Sequence, residues 1–239
     1  MKGGKHRLER CCLFRVNSMS ILGKKPMKTR LVSDPLVECL LITVGMSLAF
    51  WPVSAVSQVP EGWQSVRFAG ETQYQFDAEA DCWQAHASGS ASGLVLEEEV
   101  NLAASPWLHW QWKAPAMTDW PAVDEKRKEG DDFQARVYVI RKGWLPWQTR
   151  AINYVWSRQY PAGSHWPNPF AGQAHMVVVQ GPGPAPGWQS FSRNVREDFR
   201  RFHQLEVASV DAVAIMTDGD NTGSSVSACY RLPAFRPRP

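Results

Sequence analysis

The chain has 239 residues, 44% of them apolar, and a formal net charge of +3 from 26 basic and 23 acidic side chains. That is enough apolar material for one core of ordinary size. The near balance of charge excludes a strongly basic nucleic-acid-binding surface.

The first segment reads as a targeting leader. A basic stretch with Lys24, Lys25, Lys28 and Arg30 precedes the apolar run "LVECLLITVGMSLAFWPVSA", which closes on Val53, Ser54 and Ala55. Small residues at the ends of that tripeptide match a signal-peptidase site, so residues 1–55 are expected to be leader and signal peptide, cleaved after Ala55. The competing reading is an anchoring helix, but Leu36 to Phe50 carries Glu38 and falls short of the roughly 20 residues a span requires. A periplasmic or secreted protein of residues 56–239, with no transmembrane span, is the expectation. Nine of the 26 basic and three of the 23 acidic residues belong to the leader, so the remainder carries 17 basic and 20 acidic residues. The positive charge is thus a property of the leader, and nucleic acid is not an expected partner.

Cys11, Cys12 and Cys39 leave with the leader, and only Cys82 and Cys229 remain. Two cysteines in an exported domain predict one disulfide; the alternative is two buried thiols.

From there the chain reads as strands punctuated by Gly, Pro, Asn and Asp. In order they are "WQSVRFA", "TQYQFDA", "CWQAHAS", "SGLVLEEEV", "PWLHWQWKA", "DFQARVYVIR", "RAINYVWSR", "AHMVVVQG", "GWQSFSRNV", "DAVAIMTD" and "SVSACYRLPAF". In "FQARVYVI", Phe133, Ala135, Val137 and Val139 fall on one face, and Gln134, Arg136, Tyr138 and Ile140 on the other. Between Asn194 and Leu205 the spacing of Val195, Phe199 and Phe202 changes to that of an amphipathic helix covering an end or edge. "QGPGPAPGW" is an extended surface loop. The prediction is an all-β protein, a single β-sandwich with one short helix in its C-terminal half.

The ordered set "WLHWQWKAP", "EGDDFQARVYV", "AINYVWS", "NPF", "HMVVVQG", "RNVREDFRRF" and "AIMTDGDNTG" resembles an exported bacterial family known as domain of unknown function 3047. The resemblance runs from about Gly62 to Phe235. It implies a signal peptide and a single β-rich domain, and carries no established activity. The family pattern "TDTDNTG" stands here as "TDGDNTG", so Gly219 replaces a threonine and is expected to loosen the turn; after Phe202 a Phe-Gly turn gives way to His203 and Gln204. The strand layout is similar to jelly-roll modules of the galactose-binding type, an analogy of architecture.

Four constellations carry chemistry. Asp132, beside Glu129 and Asp131, precedes one strand, and Asp218 and Asp220 follow another, so two carboxylates could meet at one end of the sandwich. Such pairs work on glycosidic bonds when roughly 5 to 10 Å apart; Asp and Asn at strand ends also simply make turns. Calcium takes roughly six to eight oxygens, and Asp218 and Asp220 offer some of them. The EF-hand pattern fails, because its last acidic position, counted from Asp218, is Cys229.

Tryptophan is abundant, and Trp144 and Trp147 flank a proline at an expected loop tip, where they could meet a glycan, a lipid headgroup or a partner. Trp110, Trp112 and Trp156 read first as core. Last, the polar strand positions Arg136, Tyr138, Asn153 and His175, with Arg193 and Asn194 opening the helix, form a fourth constellation, and Arg136, Tyr138 and Asn153 with Trp156, Asp132, Asp218, Asn221, Trp144 and Trp147 are the candidate ligand-binding residues. A buried Arg136 would need a carboxylate such as Asp132 or Asp218. A turn needs at most one such carboxylate, so Asp218 and Asp220 together predict a cation, with Arg136 or Arg193 preferred to calcium.

Metal-hydrolase, thiol-redox, phosphate-loop and serine-elbow motifs are absent. The sequence therefore predicts a non-enzymatic module binding a carbohydrate-like or other envelope ligand. Its rivals are a polysaccharide hydrolase using Asp132 with Asp218 or Asp220, and an interaction protein docking through its aromatic loops. No cofactor is expected beyond a structural calcium.

Overall fold

A computed structural model describes residues 57–115, 120–183 and 185–239. The expected leader and cleavage site, with Cys11, Cys12 and Cys39, lie outside the described residues.

Chain order gives β1 (Trp63–Ala69), β2 (Gln73–Asp77), β3 (Cys82–Ser88), β4 (Ala91–Asn101), β5 (Trp107–Lys113), β6 (Arg136–Arg141), β7 (Arg150–Trp156), β8 (His165–Pro167), β9 (Ala174–Gln180), β10 (Gln189–Asn194), helix α1 (Val195–His203), β11 (Ser209–Asp218) and β12 (Ser225–Arg236). They build a seven-stranded sheet ordered β1-β4-β11-β6-β7-β9-β8 and a five-stranded sheet ordered β10-β5-β12-β3-β2. The chain crosses repeatedly from sheet to sheet, as the jelly-roll plan requires. Pairing is antiparallel except between β7 and β9, which run parallel.

Alternation explains the core. In β5, Leu108, Trp110 and Trp112 point between the sheets while Trp107, His109, Gln111 and Lys113 point out. Leu94, Val137, Val139, Ile152, Tyr154, Val213, Ile215 and Tyr230 join them in the main core. Phe133 departs from the expected pattern. Strand β6 starts only at Arg136, and Phe133 packs with Val155, Met176 and Val178 on the outer side of the seven-stranded sheet.

The expected helix lies at α1, capped by Asn194, whose side chain accepts from the Glu197 N–H at 3.2 Å. It ends on Gln204 in the left-handed region at φ 49°. Val195, Phe199 and Phe202 insert into the core. Cys82 and Cys229 form the expected disulfide, with Cα atoms 5.8 Å apart. Among the described residues no helix is long and apolar enough to cross a membrane.

Candidate functional site

Asp131, Asp132 and Asp218 converge, and each has work in the fold. Strand β11 ends at Asp218, and residues 219–224 reverse the chain into β12. The reversal is pinned from the segment before β6: Asp132 accepts from the Asn221 N–H at 3.2 Å, from Asn221 Nδ2 at 3.0 Å, and from the Thr222 N–H and hydroxyl, each at 2.6 Å. Gly223 supplies the positive φ of 71°. Gly219 does not loosen the turn. A Cβ there would stand 2.4 Å from the Ser224 carbonyl oxygen, so this turn closes more tightly than a threonine would permit.

Arg136 meets Asp218. Its Nε donates to Asp218 Oδ1 at 2.7 Å, and Nη2 reaches both Asp218 Oδ2 and the Asp131 carbonyl. Nη1 lies 3.6 Å from Asp131 Oδ1, and the guanidinium stands 4.5 Å from the Phe133 ring. Burial works against the charged guanidinium, but Asp218 and Asp131 outweigh it and hold Arg136 above its ordinary range. Arg193 is engaged elsewhere, donating from Nε to Asp198 Oδ2 at 2.8 Å. Ligand atoms of Asp132, Asp218 and Asp220 lie within 4.8 Å of one another. Asp132 is fully buried and Asp218 is 1% exposed.

The polar network continues over the outer side of the seven-stranded sheet. Asn168 Nδ2 donates to Asp131 Oδ2 at 2.9 Å, and Arg136 Nη1 approaches the Tyr138 hydroxyl at 3.4 Å. Asn153 lies opposite Tyr138 in the register and donates to Met176 Sδ at 3.3 Å. Burial raises Asp131 to about 6, with Arg136 and Asn168 opposing. Of the expected ligand-binding residues, Arg136, Tyr138, Asn153, Asp132, Asp218 and Asn221 thus belong to one buried or half-buried assembly. Trp156 faces the other way, into the main core. Trp144 and Trp147, 95% and 61% exposed, lie beyond the far end of β6, away from the acidic cluster.

The clefts lie elsewhere. A cavity of about 390 Å³ opens on the outer face of the five-stranded sheet, walled by Gln73, Gln75, Gln84, His86, Lys113 and Ser227 and floored in part by Cys229. The register makes it a grid: Gln73 opposite His86, Gln75 opposite Gln84, His86 opposite Ser227, and Cys229 opposite Lys113. His86 Nδ1 and Ser227 Oγ are 2.8 Å apart. Beyond the cavity the face continues through Arg231, whose Nη1 donates to Gln111 Oε1 at 2.8 Å, and Gln111 in turn donates to Ser190 at 2.6 Å. Trp188 lies between Lys113 and Arg231, 5.0 and 4.4 Å from its ring. A second cavity of about 800 Å³ includes Trp120, Gln134, Trp156, Arg158 and Gln159 and shares Ala114, Pro115 and Gly187 with the first. No carboxylate lines either cavity among the described residues.

The glutamine grid was missed by motif reading. Its signal was plain alternation, with Gln73 and Gln75 in one strand and Gln84 and His86 in the next, which marks a polar outer face without marking a cleft.

Several solved structures resemble this one at low identity. The xyloglucanase domain of NopAA from Sinorhizobium fredii aligns at a TM-score of 0.46 and 7% identity over 77% of this chain and 98% of its own. The family 11 xylanase from Neocallimastix patriciarum aligns at 0.45 and 11% identity, covering 75% and 94%. A family 11 carbohydrate-binding module of Clostridium thermocellum aligns at 0.40 and 9%, covering 78% and 93%. A search of the curated proteins found no match. The family model described as "Protein of unknown function (DUF3047)" matches residues 61–232, and the chain belongs to that family.

Proposed function

We propose that this protein is a non-catalytic binding module of the cell envelope, taking a carbohydrate-like ligand in the cleft of the five-stranded sheet. The observation that carries this reading is the polar part of that cleft's lining: neutral amides, an imidazole, a hydroxyl and one lysine, with no carboxylate among the described residues. An amide presents donors and an acceptor together, the complement of a polyhydroxylated chain. Glycoside hydrolysis needs an acid and a base or nucleophile flanking the bond. Of the carboxylates considered for that role, Asp132 and Asp218 are buried and satisfied by the turn and by Arg136, and Asp220 is half-buried within 4.8 Å of both, outside either cleft lining. Arg136 supplies the positive charge there, so this reading needs no calcium.

The envelope location rests on the leader, and the Cys82–Cys229 disulfide agrees with an oxidising compartment. A second reading, docking of a partner, is favoured by the exposure of Trp144 and Trp147.

The test is a glycan array followed by calorimetry on any bound oligosaccharide. Gln75→Ala and Gln84→Ala should each weaken binding about fivefold, the value of one hydrogen bond, and the oligosaccharide should be recovered intact. Absence of any bound glycan, or unchanged affinity in both variants, defeats the proposal. Cleavage of the glycan would favour the hydrolase.

A further inference from the structure

Three histidines from three elements meet at one edge of the seven-stranded sheet: His165 on β8, His175 on β9 and His203 on α1. His165 lies opposite Val177 and His175 opposite Pro167, so the two imidazoles sit on the same side of the β8–β9 pair. Nδ1 of His165 and Nε2 of His175 are 3.0 Å apart. Phe202 packs against both rings at centroid distances of 5.0 Å, nearly parallel to His175, and so limits their rotation. The His203 ring stands edge-on to His175 at 6.0 Å, with its Nε2 2.9 Å from the Ala151 carbonyl oxygen.

We propose that His165 and His175 chelate a transition-metal ion of the zinc, nickel or copper class, with His203 beside the pair. Two imidazole nitrogens bound tetrahedrally at about 2.0–2.1 Å stand about 3.3 Å apart, close to the separation already present. The ring planes are set before an ion arrives, which lowers the cost of ordering them. His165 is exposed, giving an ion and its remaining water ligands a route in. The donor set is nitrogen alone. It selects zinc, nickel or copper over calcium and magnesium, which demand oxygen.

The present contact is also what a hydrogen bond between neutral imidazoles would give, with one ring N–H donating to the other ring. An incoming ion requires the donor ring to change tautomer, its proton passing through solvent to the other nitrogen of the same ring, so that both facing nitrogens present lone pairs to the metal and each imidazole stays neutral. Because β8 has three residues and lies at the edge of its sheet, a metal here would clip it to β9.

The experiment is titration of the metal-stripped full chain with Zn2+, Ni2+ and Cu2+ by calorimetry, with the electron paramagnetic resonance spectrum of the Cu2+ form. His6 and the leader cysteines are present in every variant and so contribute equally. His165→Ala, which removes an exposed side chain, should weaken one saturable site about tenfold or more and reduce the nitrogen hyperfine pattern. His175→Ala should do the same, while His109→Ala on the five-stranded sheet should leave the site unchanged. Circular dichroism of each apo variant confirms that it folds. Absence of a saturable site in the wild type overturns the proposal, as does full affinity in His165→Ala.

Discussion

Arg136 and Asp218, 82 residues apart in sequence, hold each other across the neighbouring strands β6 and β11 with both side chains out of solvent. A buried pair of this kind is weak evidence of net stability, but breaking it leaves one charge stranded. Arg136→Met should therefore cost about 3–5 kcal/mol in urea unfolding, and Arg136→Met with Asp218→Leu should recover much of it. Calcium or chelator should leave the wild-type midpoint unchanged. A calcium-dependent midpoint that Asp220→Asn abolishes would instead assign an ion to the cluster.

Asp131 makes a separate prediction about pH. Its folded pKa is raised from 3.8 to about 6 by burial, so between those values the folded state holds a proton that the unfolded state has released. Stability contributed by this group is therefore present below about pH 4 and is lost as pH rises through 6, by about 3 kcal/mol. His175 works in the opposite direction, since burial and the neighbouring His165 and His203 lower it to about 4 and favour folding as pH rises. The difference between wild type and Asp131→Asn isolates the carboxyl, because His175 is common to both. That difference should change across pH 4–6 and be flat above; a flat difference throughout would refute the assignment.

The disulfide closes 147 residues of separation. In the loop-entropy picture, replacing both cysteines by serine should cost about 3–5 kcal/mol. Denaturant midpoints of the oxidised protein and the double variant measure it, and equal midpoints would contradict it.

Export remains to be tested on the protein itself. Cells producing the full chain should yield an envelope fraction whose first residue is Val56, read by N-terminal sequencing. A recovered protein beginning before Leu36 would reject cleavage at Ala55.

Much of the fold was legible because alternation is a local signal. The run from Trp63 to Ala69 and the run from Cys82 to Ser88 have the bounds of β1 and β3, and Asn194 announces the cap of α1. His165–Pro167 was passed over, since three residues around a proline carry no period. The strand read from Asp132 was too long at its start. Asp131, Asp132 and Phe133 serve the distant turn and the outer face, which no local pattern encodes. The cost of a buried charge gives Arg136 a carboxylate partner, Asp132 or Asp218; the fold supplies Asp218, with Asp131 beside it, and gives Asp132 to the turn. The cleft of Gln75 and Gln84 was not, because depth on a polar face depends on what rises around it.

Strand β12 has neighbours β5 and β3 on its two sides, so it is the middle of the five-stranded sheet although it comes after every other strand in the chain. Seen as an order of synthesis, that sheet is two separate halves, β10–β5 and β3–β2, until the polypeptide has been made through Arg236. A ribosome that stops short of Ser225 would release a chain with a gap down the centre of the sheet and one cysteine without its mate. Arrival of β12 therefore completes the sheet, lays the floor of the glutamine cleft and permits the covalent lock together.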